Sequence, residues 1–236
     1  MTQEAPILAV FDMVGTTIAA TDDVTVALQG AFAAEGLDLS AEAMAGIRGR
    51  RKTEAIAELL REVAPSAPAP QARAARIERD LRARLQAHYT KLPVRPIPGA
   101  IETMRWLSGR GVQVALATGL NRDLVRLLLD QLGWDVPLLA AVVCGDEVER
   151  GRPAPDLIRR SMELSGVRDP GRVAAIGDTR ADLEAVANAG AGCAVGVLSG
   201  AGSRESLEQL PHAVILASVA ELPGWWEERF ERPARA

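Results

Sequence analysis

Six short apolar runs divide the chain: Pro6–Phe11, Val112–Ala117, Leu138–Val143, Val173–Ile176, Gly192–Leu198 and Ala213–Leu216. A continuous apolar run of four to eight residues, closed by turn residues, predicts a strand buried on both faces. Thr118-Gly119, Gly145-Asp146 and Gly177-Asp178 supply that closure after three of them. Helical spacing of apolar positions fills intervening segments over Gly99–Ser108, Asp123–Leu132 and Ala181–Ala189. Strand and helix in alternation predict an α/β fold: a doubly wound parallel sheet that binds ligands at the carboxyl ends of its strands.

Residues 19–91 break the rhythm. They show no strand pattern but four helical segments, Val24–Glu35, Ala41–Gly46, Lys52–Val63 and Gln71–Tyr89. Pro65, Pro68 and Pro70 make Ala64–Pro70 a connecting loop, and Pro93, Pro96 and Pro98 with Gly99 read as a stiff crossing back to the sheet. The expectation is a Rossmann-like core of residues 1–18 and 93–236. An all-helical cap domain, residues 19–92, is inserted after the first strand on two short linkers, free to close over the strand ends.

Composition narrows the function classes. Of 236 residues 48% are hydrophobic, too many for a disordered chain. A net charge of −4 argues against a nucleic-acid surface, and 3% aromatics against a base-stacking platform. Cys144 and Cys193 form neither a disulfide framework nor a zinc spacing, and read as small buried hydrophobes. The first residues carry Glu4 and no basic stretch, and no run approaches the ~18 apolar residues of a membrane span, so a cytoplasmic protein is expected.

Four segments at predicted strand tips carry chemistry. Asp12-Met13-Val14-Gly15-Thr16-Thr17 offers a carboxylate nucleophile followed by hydroxyls and a glycine; its plain alternative is an Asx-turn. Thr118-Gly119 offers a hydroxyl and a free amide for a phosphoryl oxygen, or an ordinary helix cap. Gly151-Arg152-Pro153 offers a held guanidinium that neutralises a phosphoryl group. Asp178 and Asp182, four apart at a strand-to-helix turn, suit Mg²⁺; otherwise Asp178 is a cap and Asp182 complements the helix dipole.

Taken together in this order, the four segments resemble the motifs of the haloacid dehalogenase superfamily, over nearly the whole chain. The resemblance implies that Asp12 attacks phosphorus to form an aspartyl phosphate. It implies Mg²⁺ held by Asp12, the Val14 carbonyl, Asp178 and Asp182, with Thr16, Thr118, Gly119 and Arg152 around the phosphoryl group. Homodimerisation is also implied. Most phosphatases of the superfamily carry a second Asp, as general acid, where this chain has Val14; dehalogenases lack that Asp but use no metal.

The phosphonoacetaldehyde hydrolase branch, and its phosphonatase-like relatives, match better. They are similar in the Asp-(Trp/Met)-Ala-Gly-Thr-Thr segment, in Gly-Arg-Pro, and in a cap Lys three residues after a Gly, here Gly49 and Lys52. By that resemblance Lys52 forms an imine (Schiff base) with a substrate aldehyde. The C–P electron pair then leaves as an enamine, and no acid is needed at Val14. Arg48, Arg50 and Arg51 are expected to lower the Lys52 pKa, and Arg48 and Arg51 to bind substrate. Two departures stand out: Arg48 where the branch has Met, and Ala55 where the better-known members have His. The expected activity is hydrolysis of phosphonoacetaldehyde or a close 2-oxoethylphosphonate. The alternatives are a small-molecule phosphatase without imine chemistry and a non-catalytic phosphate sensor. Trp225-Trp226 is expected to anchor packing, His88 and His212 to lie apart from the motifs, and Leu120 to line the pocket.

Overall fold

The computed structural model describes residues 4–20, 23–66, 68–134 and 136–231. The outer residues of the expected core, and positions 21–22 and 67 of the expected cap and its loop, lie outside them. Six strands form one parallel sheet: β1 (Leu8–Asp12), β2 (Gln113–Ala117), β3 (Ala141–Val143), β4 (Val173–Gly177), β5 (Cys193–Val197) and β6 (Val214–Leu216). Their spatial order is β3-β2-β1-β4-β5-β6. The order reverses between β1 and β4, which opens a crevice beyond the carboxyl ends of those two strands.

Alternation along each strand builds two cores. Ala9 and Phe11 of β1 face one layer with Met104 and Leu107, whereas Leu8 and Val10 face the other with Leu157, Ile158 and Val186. The first layer holds α5 (Ala100–Ser108) and α6 (Arg122–Leu132); the second holds α7 (Asp156–Leu164) and α8 (Arg180–Ala189). The third strand is shorter than its apolar run, because Leu138 ends a 3-10 turn, Val136–Leu138, and the ladder begins at Ala141.

Between β1 and residue 91 the described residues hold four helices: α1 (Asp23–Ala33), α2 (Ala41–Gly46), α3 (Lys52–Val63) and α4 (Pro70–Lys91). Pro70 is therefore the first residue of α4 and not loop, a position where its missing N–H costs nothing. Leu28, Phe32, Leu59 and Leu81 fuse these helices into the first of the two cores. The buried Tyr89 hydroxyl hydrogen-bonds to Asp23, and His88 lies 3.6 Å from the same carboxylate, so α4 is tied to α1. The chain leaves and rejoins the sheet side by side: Ala19 N donates to Arg95 O at 2.9 Å, and Ile97 N to Thr17 O at 2.9 Å.

Two short helices complete the order, α9 (Arg204–Glu208) between β5 and β6 and α10 (Leu222–Trp226) after β6. Trp226 is buried and packs edge-on against Phe230, so the tryptophan pair is a packing anchor. Both cysteines are buried free thiols. Among the described residues no helix is long and apolar enough to cross a membrane.

Candidate active site

Asp12 is the last residue of β1, 8% exposed, at the sheet's reversal point. The backbone turns sharply after it: Thr16, Thr17 and Ile18 all donate to Met13 O, and Gly15 takes φ +94°, a conformation open to glycine. Thr17 Oγ1 donates to the carbonyls of Asp12 and Met13 at 3.0 and 3.2 Å. Arg152 reaches in from the loop before α7 and is itself 4% exposed. Its guanidinium donates to Asp12 Oδ1 at 2.6 Å and to Ala117 O at 2.7 Å, and pairs with Asp182 Oδ1 at 2.6 Å.

The two acids after β4 part company. Asp178 turns to the cavity beside Asp12, with Oδ2 accepting from Ala201 N at 2.7 Å and Oδ1 from Thr16 Oγ1 at 3.3 Å. Asp182 instead closes a capping box on α8: Thr179 is the N-cap, and Asp182 Oδ2 accepts from Thr179 N at 2.9 Å and Thr179 Oγ1 at 2.5 Å. The cap residue is thus Thr179 and not Asp178. Asp182 reaches the site through Arg152 and does not line the cavity.

Three buried carboxylates therefore surround one guanidinium. Burial pushes the Asp12 carboxyl above its ordinary range; the Arg152 charge opposes this and Asp182 adds to it. Asp178 is pushed up by burial, then by Asp12 and Asp182. Such excess negative charge in a buried site is what a hard divalent cation offsets. No three His, Cys, Asp or Glu side chains among the described residues form a metal cage. Two carboxylates and a carbonyl suit Mg²⁺, which keeps water and takes substrate oxygens as its other ligands.

A cavity of about 400 Å³ lies over these groups, and Lys52 lines it with Asp12, Val14, Thr118, Gly119 and Arg152. Lys52 is the first residue of α3, and its Nζ donates to Arg50 O at 3.4 Å. The residue is half-buried and lines the cavity. Burial lowers its pKa to about 8; the Asp12 charge opposes this and Arg152 adds to it. The three neighbouring arginines are not the cause. Arg50 pairs with Glu58, Arg51 donates to Glu149 O at 2.8 Å, and the exposed Arg48 donates to Ala201 O at 3.4 Å.

Of the residues singled out in the sequence, Asp12, Val14, Arg48, Lys52, Thr118, Gly119, Arg152 and Asp178 share this cavity, as does Leu120. Thr16 is fully buried and serves Asp178. Arg51 faces the loop before Arg152, because its guanidinium is taken by Glu149 O and lies 3.8 Å from Glu54. Two groups carried no motif. The loop after β5 holds the site through Ala201 N and through Ser199 Oγ, which donates to Gly15 O at 2.7 Å. Glu54 accepts from Gly151 N at 2.8 Å. The run Ser199-Gly200-Ala201-Gly202-Ser203 at a strand tip was the one available signal for the first; Glu54 had none.

The parallel sheet and the buried Asp12–Arg152 pair at its carboxyl end, beneath a cavity, define a doubly wound α/β protein with its candidate site at the strand tips. The sequence pattern of haloacid dehalogenase-like hydrolases matches residues 8–190, and the chain belongs to that family. It is 31% identical over 238 residues to a phosphonoacetaldehyde hydrolase of Hahella chejuensis, covering 96% of this chain and 80% of that one. It is also 33% identical over 128 residues to a phosphoglycolate phosphatase of Pseudomonas putida, covering 54% of this chain and 46% of that one. The fold is shared with a phosphonoacetaldehyde hydrolase-like protein of Oleispira antarctica, with a TM-score of 0.80 at 20% identity over 97% of this chain and 94% of that one.

Proposed function

We propose that the protein is a Mg²⁺-dependent hydrolase cleaving the C–P bond of phosphonoacetaldehyde or a close 2-oxoethylphosphonate. One observation carries the reading: a lysine amine with its pKa lowered to about 8 shares a cavity with Asp12, while Val14 offers no acid there. A phosphate ester needs a proton donor for its departing alkoxide, and loss of general acid catalysis typically costs about 10²–10⁴-fold. A carbon leaving group needs an electron sink instead, which a lysine imine provides.

In this reading the neutral Lys52 amine condenses with the substrate aldehyde and water is lost. An Asp12 carboxylate oxygen then bonds to phosphorus as the C–P bond breaks, and the electron pair passes into the protonated imine to give an enamine. The enamine carbon takes a proton, and water hydrolyses the imine to free Lys52 and acetaldehyde. A second water cleaves the aspartyl phosphate to inorganic phosphate and Asp12. Thr118 and Arg152 hold the phosphoryl oxygens; Asp182 keeps Arg152 oriented, and Thr16 keeps Asp178. Asp12, Asp178 and the Val14 carbonyl would hold Mg²⁺, which would supply positive charge to offset that of the phosphoryl group. Residues 19–92 serve as the cap that carries Lys52 to the site.

The similarity to a phosphoglycolate phosphatase over half the chain supports a second reading, ester hydrolysis with Lys52 only attracting the anion. Phosphate release from phosphonoacetaldehyde and from simple phosphate esters separates the two. The first reading expects C–P turnover that Lys52→Arg lowers by at least ~10²-fold. Ester turnover indifferent to that substitution would instead establish the second.

A further inference from the structure

The cavity is larger than a two-carbon aldehyde needs. Phosphonoacetaldehyde has seven non-hydrogen atoms. Even at a water's share of liquid volume, about 30 Å³ each, they fill roughly 210 Å³. The cavity holds about 400 Å³. Asp12, Thr118 and Arg152 line it for a phosphoryl group and Lys52 for a carbonyl, with Thr25, Arg48, Arg50, Asp178 and Thr179 as its other polar or charged side chains. Hydrocarbon comes from Val24 of α1, Met44 of α2, Ile47 just beyond it, and Leu120 from the loop after β2. Met44, Ile47 and Leu120 are 4–5% exposed, so this part of the wall is nearly dry and built into the core.

We infer that the natural substrate is a 2-oxoalkylphosphonate whose carbonyl carbon bears a short unbranched hydrocarbon chain, lodged against Met44, Ile47 and Leu120. This rests on the C–P reading above and extends it. With Lys52 and Asp12 holding the two reacting atoms, a hydrocarbon substituent on the carbonyl finds its apolar contacts in Met44, Ile47 and Leu120. Net hydrolysis converts R–CO–CH₂–PO₃²⁻ and water into R–CO–CH₃ and phosphate, by the same imine and aspartyl phosphate. The rival occupant is a substrate with a second anionic group, for which the exposed Arg48 at the mouth is the available cation.

The test is phosphate release with Mg²⁺ from a ketone series: 2-oxopropyl-, 2-oxobutyl- and 2-oxopentylphosphonate, beside phosphonoacetaldehyde and 4-carboxy-2-oxobutylphosphonate. Burying one methylene is worth about fourfold, so kcat/KM rises by roughly that factor at each step of the ketone series. Ile47→Trp, which fills the wall, flattens or reverses that slope. A flat or falling series in the wild-type protein, or a preference for the carboxylate-bearing ketone, overturns the inference while C–P cleavage stands. If phosphate comes only from esters and from no phosphonate, the C–P reading itself has failed, and this inference with it.

Discussion

Lys52 shows how one residue can be reassigned by its surroundings. As an exposed lysine it would hold its proton to about 10.5; enclosed over Asp12 it gives the proton up near 8. Imine formation needs the neutral amine, so carbinolamine chemistry at Lys52 gains rate as pH rises through about 8 and levels above it. A stopped-flow pH series with phosphonoacetaldehyde checks this, and a rise delayed to about 10 would contradict it. The same shift acts on stability. Between about 8 and 10.5 the unfolded chain binds the proton that the folded chain has released, so the folded state gains stability across that window. Urea unfolding of the wild-type protein shows the gain, and Lys52→Met loses it. Val14 supplies the complementary prediction. Val14→Asp puts a carboxyl into the cavity where an ester needs an acid, and raises ester turnover relative to C–P turnover by up to about 10²-fold.

At the scale of elements, the segment between α2 and α3 is pressed against the core loops. A Cβ on Gly119 would fall 2.7 Å from Arg50 O, and Glu54 and Arg51 bind the backbone of Gly151 and Glu149. Gly119→Ala forces that contact apart and lowers kcat/KM by about tenfold or more. Glu54→Ala raises KM more than it lowers kcat, and Glu54→Gln, which keeps an oxygen for Gly151 N–H, recovers most of the loss. These contacts were illegible in the sequence because they join positions 69, 97 and 98 residues apart and follow no period. The strands and the four helices between β1 and α5 were legible, since burial of a whole strand or a helix face leaves a pattern. The failures were local: a 3-10 turn through Leu138 cut short the third strand, Pro70 began a helix instead of ending a loop, and Thr179 took the cap assigned to Asp178.

Over the whole molecule, the parallel topology brings distant motifs together. Every strand ends on the same side, so residues 12, 118, 152 and 178 meet although 166 positions separate the first from the last. That convergence made most of the site readable from order alone. The charge balance was not readable, because it depends on Asp182 being spent on Thr179 and Arg152. Three carboxylates around one guanidinium call for a further cation. Removing divalent metal with a chelator abolishes turnover, and Mg²⁺ restores it, by phosphate release. A covalent bond between Lys52 Nζ and substrate carbon is trapped by borohydride reduction in the presence of phosphonoacetaldehyde and read by peptide mass spectrometry. The account predicts inactivation with a two-carbon adduct on Lys52, absent from Lys52→Arg. Full turnover with no adduct on Lys52 would contradict it.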